Sequence, residues 1–155
     1  MFKLEVDVWQ ASQERVLNQL AILTDQYGIP TESICVGGSA AMVLMQIRNN
    51  ARDVNVWVDS PHFEHLAEDL DVLVHPLRDV VVRIPDSEIT VQHRNRYFQS
   101  RTLENGIDVF DELALLLQKR TCYIDPARPV ELKQKDFADI RVLNDIMATR
   151  NKVAS

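Results

Sequence analysis

Apolar and polar residues recur along this chain with two different periods, and the changes of period divide it into elements. Leu4, Val6 and Val8 alternate with Lys3, Glu5 and Asp7, which predicts a short strand. From Ser12 to Tyr27 the spacing becomes helical, with Val16, Leu17, Leu20 and Leu23 on one side. Ser12 is placed to cap that helix and Gly28 to stop it, with Pro30 just beyond. Glu32 to Val36 predicts a strand. Ser39 to Arg48 predicts a buried helix through Ala40, Ala41, Val43, Leu44 and Ile47. Asp53 to Val58 predicts another strand, with Val54, Val56 and Val58 facing one layer. Ser60-Pro61 suits a helix start, and that helix runs to about Asp69. Val72 to Val74, Val80 to Ile84, Ile89 to Gln92 and Gly106 to Phe110 predict short strands. Asp111 is placed to cap a helix containing Leu113, Leu116 and Leu117 that ends near Cys122. After the loop Asp125-Pro126-Ala127-Arg128-Pro129, a last helix spans Val130 to Thr149. It carries Phe137, Ile140, Leu143 or Asn144, and Met147 on a shared face. This order implies an α/β or α+β fold, a mixed sheet with helices packed on it and a helical pair at the C-terminal end.

A chain of 155 residues is most simply one domain, 1–155, with residues 110–150 as its C-terminal helical part. The apolar share of 46% and charged share of 26% are those of a globular protein. No stretch approaches a membrane span, and Met1-Phe2-Lys3-Leu4-Glu5 lacks the basic-then-apolar form of a signal peptide. A formal charge of −6 argues against a broad surface for duplex DNA, and leaves small nucleotides, proteins or a local RNA contact as partners. Cys35 and Cys122 are far apart and suggest neither a zinc site nor a disulfide framework, so a cytoplasmic location is the expectation.

The chemistry concentrates in one stretch. Val36-Gly37-Gly38-Ser39 predicts a tight turn into a helix, where glycine permits close approach to a phosphate and free N–H groups face it. After thirteen intervening residues comes Asp53-Val54-Asn55-Val56, and period-two alternation points residues 53 and 55 the same way. Farther on, Leu115-Leu116-Leu117-Gln118-Lys119-Arg120 precedes Lys135-Asp136-Phe137-Ala138-Asp139-Ile140. Together these segments resemble the nucleotidyltransferase superfamily, the fold of DNA polymerase beta. The shared pattern is Gly-Gly/Ser, a gap of about this length and Asp-h-Asp/Glu-h. The two later segments resemble the Leu-h-x-x-Lys and Lys-Asp-h-x-Asp-h that close many small bacterial members, including those related to abortive-infection toxins. The chain departs from the pattern at Asn55, where the family has its second carboxylate.

The resemblance implies a nucleotide such as ATP bound with Mg²⁺, and transfer of a nucleotidyl group to a protein, RNA or small-molecule hydroxyl. Gly37, Gly38 and Ser39 would contact phosphate. Asp53 and Asn55 would stand at the metal-ligand positions, Asn55 offering a neutral oxygen. A third family carboxylate comes from a later strand. Its counterpart is Gln92 if that strand is Ile89–Gln92, the better fit in spacing, and Asp108 if it is Gly106–Phe110, which supplies the needed chemistry. The runner-up function is a catalytically degenerate member that serves as a binding or regulatory module, such as a toxin–antitoxin or host–virus partner. A third reading is RNA contact through Arg94, Arg96, Tyr97, Phe98 and Arg101. His62 and His65 share a helix face without a third ligand and read as exposed.

Overall fold

A computed structural model describes residues 2–75, 79–94 and 99–154. The first element is one long helix, α1, Phe2–Tyr27, so the strand expected at Leu4–Val8 is instead the helix's N-terminal part. Extending a formed helix adds one hydrogen bond per residue fixed, and no Gly or Pro interrupts residues 2–27. Ser12 does not cap. Its hydroxyl donates to the carbonyl of Asn49 at 2.6 Å and ties α1 to the loop beyond the second helix. Gly28 ends α1 at φ +68°, where the Ile29 amide turns back to the Leu23 carbonyl.

A short 3-10 turn leads into strand β1 (Ile34–Gly37), which passes directly into α2 (Gly38–Leu44). That helix stops short of Arg48 because Gln46 takes a left-handed φ of 64°. Strand β2 (Val54–Val58), helix α3 (His62–Asp69) and strands β3 (Val72–His75), β4 (Asp79–Arg83) and β5 (Ile89–His93) follow. Strand β6 (Ser100–Thr102) was not expected; β7 (Asp108–Phe110) was. Of the basic and aromatic residues considered for RNA contact, Arg96, Tyr97 and Phe98 lie outside the described residues. Asp111 caps α4 (Glu112–Tyr123), its Oδ1 accepting from the Ala114 amide at 2.8 Å. Helix α5 (Val130–Ala154) runs back along α4.

The seven strands form one mixed sheet in the order β3-β4-β5-β2-β1-β7-β6. Pairings β1–β7 and β2–β5 are parallel, and the rest are antiparallel. Val36, Val54, Val56, Val91 and Val109 are fully buried on one face. Gly37, Asn55, Thr90 and Asp108 belong to the other, because residues paired across strands point to the same side. None of the helices among the described residues is long and apolar enough to cross a membrane.

The C-terminal helix holds a correction. Leu143 is buried and Ile140 and Met147 pack on the core, as the periodicity implies, but Phe137 is exposed. Asp136 and Asp139 take the inward positions beside Leu143. Each is neutralised there, Asp136 by Arg128 and Asp139 by Arg48 and Lys119.

Candidate functional site at the strand ends

The β1–α2 turn meets the start of β2 through the register. Gly37 pairs with Asn55 on one side, and Asn55 pairs with Thr90 of β5 on the other. Thr90 Oγ1 donates to Asn55 Oδ1 at 2.5 Å, while Asn55 Nδ2 faces the turn. A Cβ on Gly38 would lie 3.2 Å from that nitrogen, and Gly38 has a φ of +59°. At Gly37 the constraint is packing, since a Cβ would lie 2.4 Å from the Trp57 ring and 2.9 Å from Phe110. Those two rings meet over the glycine with centroids 4.5 Å apart and planes tilted by 44°.

The polar groups of the turn are held by α4. The Gly38 amide donates to Gln118 Oε1 at 3.0 Å, and Lys119 Nζ donates to Ser39 Oγ at 2.9 Å. Lys119 also pairs with Asp139 at 3.0 Å, and Arg48 forks onto both oxygens of the same carboxylate. A chain of polar contacts thus runs from the turn through α4 to α5 and back to the loop after α2. The segments read from sequence as Leu-rich–Lys and Lys-Asp-x-x-Asp meet in this chain.

The other sequence candidates are spread out. Strand β2 starts at Val54, so Asp53 lies one residue before it, exposed and free of ion pairs and hydrogen bonds among the described residues. Gln92 pairs with Trp57, two residues farther along β5 than the Asn55–Thr90 rung, and is buried with Nε2 unpartnered. Asp108 is separated from β2 by β1. It pairs with Cys35, accepts from Thr102 Oγ1 at 2.5 Å and lies 3.6 Å from Arg94. Burial pushes the Cys35 thiol up to about 12, with Arg94 opposing and Asp108 reinforcing, so it stays protonated and is no nucleophile.

Sequence reasoning missed Thr90 as the neighbour of Asn55. Alternation marks residues 90 and 92 as equivalent, and only the β2–β5 register distinguishes them.

The donor set does not fit a magnesium centre of the kind expected. Mg²⁺ is held by carboxylates in near-octahedral geometry. The strand ends offer one exposed carboxylate, an amide oxygen already accepting a hydrogen bond, and the hydroxyl that donates it. Among the described residues no three His, Cys, Asp or Glu side chains come together as a metal site.

Glu112 anchors the other end of α4. It is buried and accepts from Arg101 and Arg150, each at 2.9 Å. Burial alone would raise its carboxyl. The Arg150 hydrogen bond, its own backbone amide and the two arginine charges outweigh that and hold it below its ordinary value of 4.5. Its ionised form therefore stabilises the fold fully above pH 4.5, and that contribution is lost as pH falls through the lower folded-state value. Melting curves taken at successively lower pH should show a shallower acid-side decline for Glu112→Gln than for the parent protein.

Neither a family model nor a curated protein matches this chain. Among solved structures, the chain is similar to an antigenic nucleotidyltransferase-like protein from Paracoccidioides brasiliensis. The TM-score is 0.51 at 15% identity, over 90% of this chain and 76% of that one. It is also similar to the antibiotic-resistance factor ANT(2'')-Ia, with TM-score 0.49 and 10% identity over 90% and 92% of the two chains. The likeness to the first shows that this chain has a nucleotidyltransferase-like fold.

Proposed function

We propose that this chain is a catalytically degenerate nucleotidyltransferase-like module that works by binding rather than by metal-dependent transfer. One observation carries the reading: Asn55 and Thr90 occupy the strand-end rung beside the glycine turn and are hydrogen-bonded to each other. Two carboxylates there would repel one another unless a cation lay between them, whereas an amide and a hydroxyl satisfy each other without one. Asp108, the remaining sequence candidate for a third carboxylate, is separated from that rung by β1 and is committed to Thr102 of β6 and to Arg94.

A nucleotide remains the ligand that the scaffold suggests, with Gly37, Gly38 and Ser39 next to its phosphates. Gln118 and Lys119 already engage Gly38 and Ser39, so phosphate oxygens would have to take over those bonds. Transfer to a protein, RNA or small-molecule hydroxyl is the second reading. The observation favouring it is that Asp53 is exposed and unpaired, hence open to a ligand.

The test is incubation of the protein with each α-labelled nucleoside triphosphate plus Mg²⁺ or Mn²⁺, with autolabelling, RNA and cell-extract acceptors. No incorporation above an Asp53→Ala control is expected. Incorporation by the parent protein that Asp53→Ala abolishes would overturn the degenerate reading in favour of the transferase.

A further inference from the structure

The outer side of the α4–α5 pair exposes several large apolar side chains. Inward, α4 presents Ala114, Leu115, Leu116 and Lys119, and α5 presents Asp136, Asp139 and Leu143. Outward, α4 carries Leu113, Leu117 and Arg120, with Ile124 as its C-cap, and α5 carries Val130, Lys133, Phe137 and Arg141, both at helical spacing. Leu117, Ile124, Val130 and Phe137 are each at least 50% exposed. The rings of Tyr123 and Phe137 touch, with centroids 6.1 Å apart, and join the two stripes across the hairpin. An exposed apolar face is the kind of surface that takes part in protein contacts.

The charges say what kind of partner fits. Arg48, Lys119, Arg128, Arg101 and Arg150 all pair with the buried acids of these helices. Arg120, Lys133 and Arg141 flank the apolar stripe and have no ion pair among the described residues. No acid lies on either stripe. Glu131 and Asp145 stand roughly 80–120° around α5 from Phe137, at 100° per residue. A protein of net charge −6 has thus collected free cations around its exposed aromatic and aliphatic side chains. A second copy related by a two-fold axis would set those cations against their own kind.

We infer that the outer face of the α4–α5 pair is a docking site for an acidic amphipathic helix of another protein. Its apolar ridge would lie on Leu117, Ile124 and Phe137, and its carboxylates would meet Arg120, Lys133 and Arg141. This surface is distinct from the strand-end site and does not depend on whether that site binds a nucleotide.

The probe is a designed helical peptide with Leu at i, i+3, i+4 and i+7 and Glu elsewhere, compared with a matched peptide carrying Lys in place of Glu. The acidic peptide should bind at least about tenfold more tightly, the factor expected when three modest rim pairs combine. Phe137→Ser and Leu117→Ser should each abolish binding with unchanged circular dichroism, since both side chains are exposed. The triple variant Arg120→Glu, Lys133→Glu, Arg141→Glu should reverse the preference in favour of the lysine peptide. Four outcomes would overturn the proposal: equal binding of both peptides, binding indifferent to both serine variants, self-association that Phe137→Ser abolishes, or single-stranded RNA competing the peptide off the same face.

Discussion

Asp139→Ala is expected to cost the fold about 3–5 kcal/mol, the penalty for removing one partner of a buried ion pair. Asp139 has 7% of its side chain exposed and answers two cations, Lys119 at 3.0 Å and Arg48. Lys119 is itself only 9% exposed, and without Asp139 its ammonium would keep the Ser39 hydroxyl as its sole acceptor among the described residues. The loss should reach beyond α5, because the same lysine holds the turn that begins α2. Denaturant unfolding measures it, and the strand-end contacts add a second readout in faster amide exchange near Gly38 and Ser39. Asp139→Asn keeps the shape but surrenders the charge and should fall between the two. Replacing Asp139 and Lys119 together by Leu and Met should cost less than Asp139→Ala alone, since the more deeply buried of the two cations then goes with its partner, while Arg48 is partly exposed and keeps the Asn50 carbonyl. A loss below about 1 kcal/mol for Asp139→Ala, in the range of an exposed pair, would show that water reaches the network and that it does not organise the turn.

The same network explains which parts of the fold could be read from sequence. Helix 12–27, the strand and helix that meet at Gly37 and the Asp111 cap follow from local rules of period, glycine geometry and side-chain capping, and those rules prevailed. Helix α5 misled at one position because its inward face breaks the apolar rule. Asp136 and Asp139 occupy core positions with arginine and lysine partners drawn from other segments, and Phe137 is left outside. Periodicity sees hydrophobicity and cannot see a partner 91 residues away, the separation of Arg48 from Asp139. The strand-end site divides in the same manner. The glycines and the approach of Asn55 to them were legible as a motif at fixed spacing. The place of Thr90 was not, because it depends on which strand pairs with β2 and in which register.

Installing carboxylates on that rung gives the other large effect. Asn55→Asp with Thr90→Asp should lower stability in a chelator and restore it with millimolar Mg²⁺ or Mn²⁺. The two side chains already meet at 2.5 Å, so two ionised carboxylates there would repel in the folded state and relax on unfolding. A divalent cation removes the repulsion and gains oxygen ligands, with Asp53 just before the strand as a third. At a metal concentration one hundredfold above its dissociation constant, binding adds about 2.7 kcal/mol to the folded state. Asn55→Asp alone should raise metal affinity less, because the Thr90 hydroxyl can still donate to the new carboxylate and so hold it in its present place. The parent protein should melt at the same temperature with and without metal. If the parent is stabilised as much as the double variant, the Asn55–Thr90 pair opens to admit a cation and the binding-module reading gives way to a metal-dependent one. If neither responds, the carboxylates do not converge on a common point, and the strand ends cannot support metal-assisted transfer even with two carboxylates added.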